Sequence, residues 1–268
     1  MNAIALHERV SEDFEAKLKR THALLRQAAS DHAPKRHGDP ALASQASSLG
    51  AEDMVISHLI NRMELNIGIF VLDTGQLHAE TLQLLERLKA DSKAPVEVFK
   101  PVAQAVVQFV RREGNDAMYR SVELRKTCCQ IRKMEPLQRA LAGKTAWITG
   151  LRREQSGTRA EVPAIDNGDA RRVKYNPLAD WTWGDVWHYI LTFAVDYNPL
   201  HDQFYPSIGC APCTRAVALG EDFRAGRWWW AAAPAEECGL PGSCLDTPRK
   251  ALDTRASATA SSRDRASG

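Results

Sequence analysis

Short apolar runs alternate with amphipathic stretches along most of this chain. "ALASQ" (Ala41–Gln45), "IGIFVL" (Ile67–Leu72), "PVEVF" (Pro95–Phe99) and "TAWITG" (Thr145–Gly150) read as strands, the first weakly and the second strongly. Helical spacing fills the intervals at Asp53–Met63 (Val55, Leu59 and Met63 in register), His78–Ala90 and Val102–Arg112. Strands apolar enough to be covered on both sides, each followed by a helix, predict an α/β fold. Its parallel sheet would carry helices on both faces. Upstream, Ser11 is positioned to cap a helix with an acidic first turn and with Phe14, Leu18 and Leu25 on one side. "HAPKRHGDP" follows as a linker, so residues 1–40 read as an N-terminal helix and linker. Downstream, "DWTWGDVWHYIL" is the clearest amphipathic helix: Trp183, Val186, Trp187, Ile190 and Leu191 share a face, and Thr182 with Asp185 forms a cap. Its tryptophans are expected in the core. No internal repeat is present.

Composition narrows the class. The 268 residues, 44% hydrophobic and 25% charged, suffice for one large domain with a substantial core. No stretch nears the roughly 18 apolar residues of a membrane span, and "MNAIALHERV" lacks the pattern of a secretory signal; the expected location is cytoplasmic. A net charge of +2 speaks against a nucleic-acid binder but leaves room for a local cationic pocket. Residues 41–230 are expected to form the α/β domain and 231–248 a mobile segment. Residues 249–268, rich in Ala, Ser, Thr, Arg and Asp, are expected to be disordered.

Ligands of parallel sheets bind in the loops after the strands. The first such loop, "SSLGAED", sets Ser48 and Gly50 before a helix N-terminus, which suits an anion or an ordinary cap. "LDTGQLH" places Asp73, Thr74 and Gly75 at a strand end. "GLRREQSGTR" carries Arg152, Arg153 and Arg159 beside Ser156 and Thr158. Together the three loops favour an anionic nucleotide, with a solvated charge run as the alternative for Arg152 and Arg153.

Six cysteines change the picture further. Cys128 and Cys129 are adjacent, and Cys210 and Cys213 form Cys-x-x-Cys. In a reducing compartment such clustering points to metal or catalysis rather than disulfides. Four thiolates suit an iron–sulfur cluster or a zinc ion; buried reduced thiols are the remaining alternative. Adjacent cysteines project about 100° apart on a helix, awkward for one small ion but workable for a cluster with several metal vertices. Cys238 stands alone in "EECGLPGSC", where flanking glycines permit a hinge and a thiolate is a candidate nucleophile. The eight histidines show no metal-ligand spacing; His58 and His188 read as half-buried helix residues.

The motifs "KTCCQIRKMEPL", "YPSIGCAPCTRAV", "EDFRAGRWWW" and "EECGL", with "SLGAED", "LDTG", "GLRREQSGTR" and "NPLADWTWGDVWHYI", resemble the assimilatory adenylylsulfate reductases, the thioredoxin-dependent, iron–sulfur branch of the PAPS reductase family. The resemblance spans about Ala41 to Gly242. It implies an adenine nucleotide α-hydrolase-like, Rossmann-like fold and one 4Fe–4S cluster per chain on Cys128, Cys129, Cys210 and Cys213. The implied reaction reduces adenosine 5′-phosphosulfate to sulfite and AMP, with thioredoxin or glutaredoxin as partner. Carried over by motif, Cys238 is the catalytic nucleophile. Ser48, Gly50, Leu72, Thr74, Gly150 and Arg159 line the nucleotide pocket, while Lys133, Arg224 and Arg227 face the phosphosulfate. Arg224 and Arg227, three apart, would aim at one anion if helical. By analogy the protein would form homo-oligomers. The 3′-phosphorylated nucleotide as substrate, and a zinc-stapled nucleotide-binding module without reductase activity, stay open.

The sequence departs from the family in three places. Pro241 stands where the family carries histidine, Leu49 where an aromatic residue is common, and Cys244 is an extra thiol, either a resolving partner for Cys238 or a bystander.

Overall fold

Five of the six strands run parallel, in the order β3-β2-β1-β4-β6-β5. They are β1 (Ala43–Ser47), β2 (Gly68–Leu72), β3 (Val96–Phe99), β4 (Ala146–Ile148), β5 (Ile165–Asp169) and β6 (Arg172–Tyr175). This is a computed structural model, and it describes residues 9–36, 38–155 and 159–231. The chain starts at β1, steps outward through β2 to β3, then returns to the other side of β1 with β4. That reversal leaves a crevice outside the carboxyl ends of β1 and β4, the position where ligands of open α/β sheets bind.

Strand β2 explains why the sheet is covered on both sides. Ile69 and Val71 enter the main core with Leu84, Trp187 and Ile190. Phe70, pointing the opposite way, is 3% exposed and stacks edge-on against Phe99. On that side α7 (Glu135–Ala140) packs against β2 and β3. The main core is lined by α1 (Phe14–Asp31), α2 (Ala51–Arg62), α3 (Ala79–Asp91) and α8 (Trp183–Phe193). Trp183 and Trp187 are buried there as expected, and the Thr182–Asp185 capping box is formed. Leu191 does not join them: it is exposed on the far side of the helix.

The expected cap of the N-terminal helix is corrected. Ser11 does not cap α1; the cap position is Asp13, without a side-chain hydrogen bond. Instead the Ser11 N–H and Oγ–H both donate to Asp185 Oδ1, while Lys17 Nζ pairs with Asp185 Oδ2 at 3.0 Å. A buried carboxylate already committed to capping α8 is a better acceptor than solvent, so the N-terminal helix is clasped to α8. The sheet is mainly parallel, as expected, with one antiparallel hairpin of β5 and β6 at an edge. That edge is polar (Asp166, Asn167 and Asp169) and exposed from Asn167 on, so it carries no apolar signal. His58 and His188 are half-buried, as the helical spacing implies.

Among the described residues no helix is long and apolar enough to cross a membrane.

Candidate functional site

The first part of the site is built where β1 and β4 diverge. Gly50 is the N-cap residue of α2 and supplies no side-chain cap. Leu49 before it is buried with φ 62°, a left-handed conformation that costs a non-glycine residue on the order of 1 kcal/mol. Asp53, one turn into α2, reaches back: its Oδ2 accepts the Ser48 N–H at 2.7 Å and the Ser48 Oγ–H at 2.6 Å. Its carboxylate also receives the Gly150 N–H from the loop after β4. A Cβ on Gly150 would lie 2.5 Å from Asp53 Oδ1, so glycine is required for this approach. Ser48 and Gly150 are thus brought together by Asp53, a residue to which the sequence assigned no role.

Burial pushes the Asp53 carboxyl up to about 6 despite the hydrogen bonds from Ser48. The folded protein holds this proton to higher pH than the unfolded chain. The group therefore favours folding most below its ordinary value of 3.8, and that advantage is lost as pH rises through about 6. The difference amounts to about 3 kcal/mol. The urea-unfolding free energy of Asp53→Asn relative to the parent should shift by about this amount in the variant's favour between pH ~4 and pH ~7; a pH-independent difference would contradict the assignment.

Beside Asp53, Glu52 follows the opposite course. Burial would raise its carboxyl, but Arg152 and a hydrogen bond from Gln155 outweigh burial and hold it below the usual range. Arg152 is fully buried, pairs with Glu52 at 2.9 Å and with Glu154 at 2.7 Å, and lies over the Trp183 ring. Arg152 is therefore neither a solvated charge nor a free ligand for an anion; it braces the N-termini of α2 and α8, since Glu154 also accepts the Trp183 N–H. Arg153 pairs with Asp180 and donates to the Val162 carbonyl. Arg159 is buried and donates to Gln155 Oε1, whose amide group in turn donates to Glu52 and to the Gly150 carbonyl. Gln155 thus connects Arg159 to the same crevice.

The second part surrounds the cysteines. Ser121 caps α6 (Val122–Cys129), which ends on the Cys128–Cys129 pair and runs into a π-helical turn, Gln130–Met134. Such turns recur at functional sites; this one carries Arg132 and Lys133. Cys210 and Cys213 bracket a 3₁₀ turn, Ala211–Cys213, tied to the loop after β2 by the Ala211 N–H donating to the Gln76 carbonyl at 2.7 Å. All four are free thiols. Both Cys128 and Cys129 are influenced by Cys210, and Cys213 by Cys210, Cys129 and Cys128, so the two pairs face one another. Burial first, and then the neighbouring sulfurs, push Cys213 up to about 12 and Cys128 up to about 11. Among the described residues no group of three or more His, Cys, Asp or Glu side chains is arranged to hold a metal ion. The donor set nevertheless fits a metal–sulfur group. It offers four soft ligands in a partly apolar setting with Phe109, Met118 and Trp228, and nearby cations to balance thiolate charge. Lys133 and Arg227 each act on Cys129 in that sense.

Arg224 and Arg227 do converge, but not on a helix. Residues 222–226 form a turn, followed by a bridge between Thr214 and Arg227. Both guanidinium groups reach Ser207 Oγ, at 3.3 and 3.4 Å. Arg227 Nε is buried without a hydrogen-bond partner among the described residues. Gly209 leaves room for that guanidinium, since a Cβ there would stand 2.5 Å from it.

Thr74 ties the end of β2, the strand paired with β1, to the cysteine group. This residue, just past Leu72 at the end of β2, sets its Oγ1 3.2 Å from Cys210 Sγ, and its carbonyl accepts Arg132 Nη1 at 2.9 Å. Ser207 and Arg132 escaped sequence reasoning because an isolated serine and one more arginine carry no pattern. Cys238, Pro241 and Cys244 lie outside the described residues, as do Ser156 and Thr158.

Comparison with known proteins shows the family and the fold. Residues 43–216 match the family described as the phosphoadenosine phosphosulfate reductase domain. An adenosine 5′-phosphosulfate reductase of Burkholderia cepacia is 51% identical over 232 residues, covering 86% of this chain and 90% of the relative. One from Allochromatium vinosum is 55% identical over 196 residues, covering 73% of this chain and 77% of the relative. Among solved structures, the phosphoadenylyl-sulfate reductase of Candida auris matches with a TM-score of 0.58 at 24% identity, covering 76% of this chain and 97% of that one, a likeness of fold. The chain belongs to the phosphoadenosine phosphosulfate reductase family, among its adenosine 5′-phosphosulfate reductases.

Proposed function

We propose that this protein reduces adenosine 5′-phosphosulfate to sulfite and AMP in assimilatory sulfate reduction, through an S-sulfocysteine on Cys238 that thioredoxin or glutaredoxin resolves. The observation that best supports the reading is the Thr74–Cys210 contact, which ties a strand-end loop of the parallel sheet to the four-cysteine group. In the first step the Cys238 thiolate attacks the sulfonyl sulfur. An S–S bond forms, the S–O bond to the phosphate breaks, and AMP leaves with the electron pair. In the second, a thioredoxin thiolate attacks the Cys238 sulfur and sulfite departs with the S–S bonding electrons. The partner's second thiol then closes its own disulfide and frees Cys238.

A thiolate approaching this substrate is repelled, by about 4 kcal/mol per charge pair at 4 Å with an effective dielectric near 20. Arg224, Arg227 and Lys133 offset that repulsion and stabilise charge on the leaving phosphate. Ser48, Gly50, Leu72, Thr74, Gly150 and Arg159 hold the nucleoside end. One 4Fe–4S cluster would be held by Cys128, Cys129, Cys210 and Cys213; bound there, it supplies a structural brace and a fixed charge, the electrons for reduction arriving through thiols. Freshly purified protein should be brown with broad visible absorption and should release sulfite faster from adenosine 5′-phosphosulfate than from its 3′-phosphorylated analogue. A colourless zinc protein without sulfite release would overturn the reading.

Pro241 has neither a side-chain donor nor a free φ, so the imidazole contact available to relatives is missing. Pro241→His is expected to raise kcat/KM about three- to tenfold, the worth of one hydrogen bond. Unchanged steady-state kinetics would remove that idea.

A further inference from the structure

We propose that Asp53 is a positioning residue that makes the exposed Ser48 hydroxyl an acceptor, so that the loop after β1 takes an O–H or N–H donor of the nucleoside and not a phosphate oxygen. The inference rests on the nucleotide-binding part of the proposed function and concerns the polarity of that contact. Ser48 is exposed and Asp53 is buried, yet the two are joined at 2.6 Å. The same Asp53 oxygen takes the Ser48 N–H at 2.7 Å, and the carboxylate also takes the Gly150 N–H, so Asp53 acts as an acceptor throughout. The proton of the Ser48–Asp53 bond must therefore come from the serine. With its hydrogen directed inward, the serine oxygen can offer only lone pairs to the outside.

The backbone points the same way. An anion at this loop and helix N-terminus would need free amides, and three of them are committed. The Ser48 N–H goes to Asp53, the Leu49 N–H to Ser47 Oγ at 3.2 Å, and the Ala51 N–H to His201 Nε2 at 3.2 Å. The carboxylates of Glu52 and Asp53 occupy the first turn as well and repel a phosphate. The expected anion seat in "SSLGAED" is thus partly taken up by the protein's own groups, and phosphosulfate is left to the arginines near Ser207. Asparagine at position 53 could not replace the carboxylate: it has one acceptor oxygen, and its NH₂ would meet either the Ser48 or the Gly150 N–H.

Isothermal titration of the intact protein with AMP, 2′-deoxy-AMP, 3′-deoxy-AMP and IMP tests this, using the parent, Ser48→Ala and Asp53→Asn. Ser48 is exposed, so Ser48→Ala is expected to fold normally. Its AMP Kd should rise roughly five- to tenfold, and that of Asp53→Asn by at least as much. One analogue should bind the parent with the same loss and be indifferent to Ser48→Ala, which identifies the donor as a ribose hydroxyl or the base amine. The proposal is overturned if Ser48→Ala leaves AMP binding unchanged, or if it weakens all four nucleotides equally, the mark of a phosphate contact. An Asp53→Asn protein that folds and binds AMP like the parent would overturn the role of Asp53. Failure of the parent to bind AMP would instead remove the underlying functional reading, and this inference with it.

Discussion

Replacing Cys238 by serine is expected to lower sulfite release by roughly four orders of magnitude or more while leaving AMP binding and visible absorption unchanged. A hydroxyl is a far weaker nucleophile than a thiolate, and a sulfated serine offers thioredoxin no S–S bond to cleave, so both steps fail. The substitution also separates roles. The four cysteines at positions 128, 129, 210 and 213 are buried or half-buried and are the proposed cluster ligands, and burial pushes the thiols of Cys128, Cys129 and Cys213 up. None of those three is placed to act as a thiolate nucleophile. Residual sulfite release near the parent rate would mean that another thiol attacks.

Arg227→Ala carries the second large effect. Its guanidinium is held over the Trp228 ring, donates to the Ile208 carbonyl at 3.2 Å, and keeps Nε unsatisfied in a buried position beside Arg224. A cation fixed in this way costs no reorganisation when charge builds on the departing phosphate. Its removal is expected to reduce kcat/KM about 10²- to 10³-fold. Arg227→Lys should recover only part, because an ammonium cannot present a planar fork to sulfate or phosphate oxygens. Because Arg227 also influences Cys129 and Cys213, the visible spectrum of the variant must be recorded alongside. A normal spectrum with unimpaired kcat/KM would contradict the assigned role.

The parts of this molecule legible in its sequence are those where one property repeats. Strand β2 is apolar throughout, and α8 has both its stripe and its cap written out, so both were placed within a residue or two. The cysteine pairs were legible as a group because spacing and residue type coincide. What escaped depends on partners distant in the chain. Asp53 looks like any acidic residue in a first helical turn until the loop after β4 folds over it. Arg152 looks like a solvated cation until Glu52, a hundred residues away, meets it in the interior. Ser11 had a local helix to cap and an acceptor 174 residues away, and the buried acceptor won. The β5–β6 hairpin escaped because its polar edge strand needs no apolar alternation.

The most direct test of the central claim is intact-protein and peptide mass spectrometry after mixing the enzyme with adenosine 5′-phosphosulfate in the absence of any thiol reductant. The account predicts one added SO₃ on the peptide containing Cys238, released as sulfite when thioredoxin is supplied and absent from Cys238→Ser. An unmodified Cys238 in protein that still yields sulfite on adding thioredoxin would contradict it.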